Sequence, residues 1–168
     1  INKINNESLN QLSKNLILSN SGEAIILDND SSKGIVLRGY SSQDFPKIKI
    51  IKDKTFIGNR NNLKKNSISI GKELSFILDV KIGDTISVMS SSGVETIIGN
   101  LPKQKTFIVS SLFESGLIDF DTSVAFVNLE TLEEFINLDN DKRNLEIYLK
   151  NPQNIQKKKI IIQKIFPN

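Results

Sequence analysis

The side chains best suited to chemistry in this sequence are three carboxylates, Glu114, Asp119 and Asp121, set close together along the chain. Carboxylates so spaced can serve as acid and base or hold a hard cation. Here they alternate with Ser115-Gly116 and border a β-rich stretch, so they read as turn residues chosen for backbone reasons. The chain contains no Cys and no His, which removes the thiolate nucleophile, the imidazole base, the His/Cys metal site and any disulfide. Gly71-Lys72 is not a phosphate loop: Glu73 stands where Ser or Thr is needed, and Asn66 where the first glycine belongs. No catalytic residue, metal ligand or cofactor is assigned. What remains is the chemistry of contact. Ile97 and Ile98 sit side by side in a polar stretch, and on a strand two neighbours point to opposite faces, so at least one is expected to face water or a partner; the alternative is that both fold back onto the sheet.

The elements that position this pair are two strands, Asp84 to Met89 and Lys105 to Phe113, with a third near Ser123. Their connection, 90–104, has roughly fifteen residues where hairpins usually take two to five, the length of a functional protrusion or of a disordered segment. Before it, Ile68 and Ile70 mark a short strand. Lys72 to Leu78 predicts a helix with Leu74, Ile77 and Leu78 inward, and Val80 to Asp84 a turn made possible by Gly83.

Leu9, Leu12 and Leu16 predict an opening helix over 5–17, with Asn5 or Asn6 as its cap. Ser21-Gly22 predicts a turn, and Ala24–Leu27 and Gly34–Gly39 predict a hairpin. Lys47–Lys54 alternates apolar and basic residues, as a solvated strand face would, and Asn59–Asn66 reads as loop. Farther on come a helix over Glu130–Ile136, a turn at Asn140–Asn144 and a strand over Leu145–Leu149. A last helix follows Asn151-Pro152, with Ile155, Ile160, Ile162 and Phe166 apolar and Lys157–Lys159 a solvated face. This layout predicts an α+β fold of two subdomains: 1–32 with 127–168, and a β-rich insert, 33–126, carrying the protrusion.

With 38% apolar and 24% charged residues the composition is globular, and no apolar run approaches the roughly 18 residues that span a bilayer. The net charge of +3 comes from scattered basic residues without interleaved aromatics, which is no nucleic-acid footprint. The chain starts at Ile1 without a signal-peptide pattern and is expected to be a segment of something longer.

Gly34–Gly39, Ile70–Leu74 through Val80–Asp84, and Phe107–Val109 to Phe113–Asp121 stand in the order found in one family, with Val124–Glu130 and Leu145–Pro152 following. In these segments the chain resembles the periplasmic domain of the lipoprotein-releasing ABC transporter permeases, LolC and LolE, which share a core with MacB-type transporters. Thr96-Ile-Ile-Gly-Asn-Leu-Pro102 looks like the family's Thr-x-x-Gly-x-x-Pro segment, with Gln104 and Lys105 matching the polar pair beyond it. In LolC this loop is the Hook, and LolE-type chains lack its form. The resemblance implies a non-catalytic domain on the periplasmic side of the inner membrane. It also implies that Thr96, Ile97, Ile98, Gly99, Leu101, Pro102, Gln104 and Lys105 bind the soluble carrier LolA. The further partners it implies are an ATPase subunit, a second permease copy and the lipoprotein cargo. An alternative is the equivalent domain of a MacB-like or cell-division permease with a different periplasmic partner. Three features depart from the family: the strand usual before the first helix is missing, Ser13-Lys14-Asn15 replaces its Pro-Gly-Val, and the segment around Asn59–Asn66 has no clear counterpart.

Overall fold

The computed structural model describes residues 7–27, 32–49, 56–59, 63–97, 99–139, 142–151, 153 and 155–166. Among them are eight strands and five α-helices, the expected mixture of both. The chain divides into two units, 1–18 with 145–168 and 19–144. The division predicted from the sequence, at 32/33 and 126/127, falls elsewhere, because most of β1 (Ser13–Leu27) and all of β7 (Val124–Asn128) pair within the larger unit.

In the larger unit the pairings close on themselves. β1 pairs with β2 (Ser32–Tyr40), β2 with β7, β7 with β4 (Ser67–Gly71) and β4 with β6 (Gly99–Phe113). β6 then pairs with β5 (Thr85–Thr96), and β5 returns to β1. Six strands therefore form a barrel, and closure leaves its wall without an edge. Each strand contributes two residues to the interior at i and i+2: Ala24 and Ile26, Ile35 and Leu37, Ile68 and Ile70, Ile86 and Val88, Phe107 and Val109, Ala125 and Val127. Such period-2 patterning is what a half-buried strand requires. Leu74 and Leu78 of α2 (Lys72–Ile77) and its C-cap, and Leu132, Phe135 and Ile136 of α4 (Leu129–Ile136), complete this core. Gly22 lies in mid-strand rather than in a turn. A Cβ there would stand 2.4 Å from Ile136 Cδ1, so its smallness serves the close approach of α4.

Phe126, between the two inward residues of β7, faces outward and organises a second layer. Its ring centroid lies 4.9 Å from Phe113, 5.6 Å from Phe45 and 5.9 Å from Tyr40. Such pairs add about 0.5–1.5 kcal/mol each beyond their buried area. Phe45 opens a 3-10 turn, and Ile48 is buried, so the described part of Lys47–Lys54 is no alternating strand; residues 50–55 lie outside the described residues. Within Asn59–Asn66, Leu63 is buried, and a two-residue strand, β3 (Ile57–Gly58), precedes it and pairs with β6.

In the smaller unit, α1 is Glu7–Leu12, shorter than predicted. Ser13 Oγ donates back to Leu9 O at 2.7 Å where the chain leaves the helix, and Leu16 falls on β1. The cap candidates Asn5 and Asn6 lie outside the described residues. β8 (Asn144–Leu149) pairs with β1, and Lys150 donates from its N–H to Leu12 O at 3.1 Å. α5 (Ile155–Ile165) buries no residue fully; Ile155 and Ile160 are exposed.

Candidate functional site

The stretch read as a long loop is a hairpin. β5 and β6 stay paired to Thr96↔Gly99, with Ile97 at the tip, in place of the predicted connection over 90–104. The sequence announces so tight a reversal poorly, since short hairpin connections favour Asn-Gly or Asp-Gly. The one matching signal is Gly99, at φ +119.

Inside the barrel the register of β5 against β6 runs from Thr85↔Ile108 to Met89↔Gln104; it resumes at Gly93↔Pro102. Ser90, Ser91 and Ser92 therefore stand opposite Lys103 alone, an extended bulge. The β1 partnership of β5 ends at the same place, at Ala24↔Ser90. From Gly93 outward the hairpin is a two-stranded arm of four register pairs, reaching about 10 Å beyond the bulge. Its outer residues have no further strand partner among the described residues. Pro102, which lacks an N–H, is tolerated on such an edge.

Ile97 at the tip is fully solvent-exposed, and Leu101 is about half exposed at 52%. Gly99 and Pro102 are exposed as well, Thr96 is placed by its pairing with Gly99, and Ile98 lies outside the described residues. Gln104 and Lys105 sit at the root. Gln104 Nε2 donates to Ser87 Oγ at 2.7 Å, while Lys105 holds its ammonium 5.7 Å from the centre of the Phe107 ring. As neighbours on a strand they point to opposite faces and cannot present one polar surface together.

The root is held by the C-terminus of α4. Lys103 Nζ donates to Glu134 O at 2.6 Å and to Asn137 Oδ1. Asn137 Nδ2 donates to Gly93 O at 3.2 Å, and Ser92 Oγ to Ile136 O at 2.9 Å. Asn137 is the helix C-cap, with φ 56 in the left-handed region that Asn tolerates. The helix is itself tied down by Glu133, only 3% exposed in its side chain. Its carboxylate accepts from Arg143 Nη2 at 2.6 Å and Nε at 2.7 Å, and from Asn20 Nδ2 at 3.4 Å. The hydrogen bond to Glu133, opposed by burial and aided by the charges of Glu133 and Glu130, holds the Arg143 guanidinium above its ordinary range. Sequence reasoning did not find Ser92, Lys103 or Asn137; the one available signal was an Asn directly after the last helical residue of α4.

The three carboxylates do not act together. Asp121 is buried in α3 (Ile118–Ser123), a helix where a turn was predicted, and accepts the Ser115 N–H through both oxygens at 2.9 and 3.0 Å. Glu114 lies 3.7 Å from Lys72 Nζ, and Asp119 is exposed. Among the described residues no three acidic side chains converge as a metal site. Ile77, predicted inward, is 54% exposed, because only Leu74 and Leu78, four apart, share the face of α2 turned to the core.

No family model matches the sequence. It is 31% identical over 116 residues to the "Lipoprotein-releasing system transmembrane protein LolC" of Xylella fastidiosa, covering 68% of this chain and 28% of that protein. The LolC of Neisseria meningitidis serogroup B is 26% identical over 136 residues, 80% of this chain and 33% of its own length. The chain thus spans about a third or less of these curated relatives. Two solved structures share its fold, each with a TM-score of 0.53. The periplasmic region of MacB from Actinobacillus actinomycetemcomitans is 12% identical, with 94% of this chain and 72% of that one covered. The extracellular domain of the ABC-type transporter YknZ from Gram-positive bacteria is 15% identical, with 90% and 75% covered. No helix among the described residues is long and apolar enough to cross a membrane.

Proposed function

We propose that this chain, which belongs to the periplasmic domains of LolC/MacB-like permeases, recruits a soluble lipoprotein carrier of the LolA type through its β5–β6 arm. The domain is non-catalytic in this reading. ATP hydrolysis resides in a separate subunit, a second permease copy completes the transporter, and lipoproteins taken from the inner membrane pass to the carrier held at the arm. The observation that carries it is Ile97, an apolar side chain fully exposed at the tip of a projecting hairpin. Burying it releases about 1.5–3 kcal/mol, less than the ~4 kcal/mol or more that association costs. The arm's open edges supply backbone hydrogen bonds for the remainder, in the manner of strand addition. The contact is therefore reversible, as suits a carrier that must leave with its cargo.

The test places a photo-crosslinker at Ile97, and separately at Ile98, in the full permease with its ATPase subunit. A second variant replaces residues 94–101 by Asn-Gly, which removes the arm and leaves its root. The expected result is a carrier adduct from the tip and loss of carrier recruitment without the arm. No adduct from either position, with recruitment intact after shortening, overturns the assignment. An adduct with a different periplasmic protein selects the MacB-like or cell-division alternative.

A further inference from the structure

The arm leaves the barrel at a point where its own strands cannot hold its direction. Three residues of β5 face one of β6 there, the backbone pairing of β5 with β1 ends at Ser90, and a two-stranded ribbon alone is only marginally stable. Besides the Ser91 hydroxyl on Glu23 O of β1, what meets the ribbon at this joint is the C-terminus of α4. That end carries unpaired carbonyls and the negative pole of the helix, both of which attract an ammonium group. Lys103 supplies it, reaching Glu134 O and Asn137 Oδ1, while Asn137 returns a hydrogen bond to Gly93 O on the opposite strand. The helix does not yield, because Leu132, Phe135 and Ile136 are embedded in the barrel core.

We infer that Lys103 and Asn137 are positioning residues: their clasp on the end of α4 sets the direction in which the arm projects, and so the fraction of time the tip is presented to a partner. Both strands are gripped, β6 through Lys103 and β5 through Gly93. The Ser91 and Ser92 hydroxyls, on Glu23 O and Ile136 O, hold only the bulge itself, so loss of the Lys103 or the Asn137 side chain frees the ribbon beyond it to swing without altering a single tip residue. The consequence for binding rests on the carrier-docking reading given above; the effect on the arm's direction does not.

The experiment uses the full permease. Nitroxide labels at Ile97→Cys and Lys65→Cys report tip-to-barrel distance, and labels at Val36→Cys and Lys65→Cys report the barrel alone. The variants are Lys103→Met, which keeps the stem without the charge, and Asn137→Gly, which keeps the left-handed backbone without the amide. Each should broaden the tip-to-barrel distribution at least about twofold while the barrel pair is unchanged, the mark of a released conformational equilibrium. Lys103→Arg should restore the narrow distribution. If the arm then points correctly about one-tenth of the time, carrier recruitment falls about tenfold. The double variant should be no worse than the poorer single one, since both residues serve one clasp. A distribution that stays narrow in both single variants overturns the inference, whatever happens to recruitment. A broadened distribution with undiminished recruitment supports the clasp and overturns the carrier reading instead.

Discussion

Replacing Arg143 by Met separates the two halves of a buried ion pair. In the native chain the guanidinium meets Glu133 through two short bonds, 2.6 and 2.7 Å, and the carboxylate is 3% exposed. Methionine fills much of the space and leaves the carboxylate with Asn20 Nδ2, at 3.4 Å, as its remaining donor among those described here. Breaking a buried pair from one side costs about 3–5 kcal/mol. The Arg143 side chain keeps 25% of its exposure, so water enters the gap and the low end, about 3 kcal/mol, is expected. For a chain of this size that lowers Tm by about 6–12 °C. The pH dependence has a definite sign. Because the guanidinium is held above its ordinary range by Glu133, its contribution is present at neutral pH and is lost only as pH rises into the strongly alkaline range. Denaturant unfolding of both proteins at pH 7 measures the deficit directly. The double variant Glu133→Gln with Arg143→Met should recover part of the loss. A deficit below about 1 kcal/mol would refute the view that a desolvated carboxylate depends on Arg143.

Three further outcomes can be checked alongside it. Gly71→Ala should destabilise by about 3 kcal/mol, at the top of the range for overpacking, because the new Cβ would lie 1.9 Å from Asp121 O and the obstacle is backbone; thermal unfolding reads it. Ser111→Ala should be neutral or stabilising by about 1 kcal/mol, since the buried Ser111 hydroxyl has no partner among the described residues; the denaturation midpoint tests it. Ile97→Asp should leave Tm within about 1 °C of the native value, as befits a fully exposed position. It should at the same time weaken carrier recruitment about tenfold or more, the equivalent of one buried aliphatic side chain, in a pull-down with the full permease.

Much of the barrel wall could be read directly. Ile35/Leu37, Ile68/Ile70, Ile86/Val88 and Phe107/Val109 alternate visibly in the sequence, and each pair is found in the interior. Leu132, Phe135 and Ile136 read equally well, because helical spacing is local. Misreadings arose where a residue's reason for being there lies far along the chain. Gly22 looks like a turn residue until Ile136 is seen against it. Ser13 ends a helix that the leucine spacing would have continued, as the chain turns into a strand paired with β2 and β8.

The apolar pair at 97–98, by composition and position alone, identified the place to look for a partner contact, and the absence of Cys and His turned attention away from catalysis. These are properties of residue type, which no fold can change. That the stretch is a paired arm rather than an open loop was decided by cross-strand registry out to Thr96↔Gly99, of which the local sequence gives little sign. The same is true of the joint. Lys103, Gly93 and Asn137 come together only because the barrel closes and carries the end of α4 to the root of the hairpin, a juxtaposition that no period along the chain encodes.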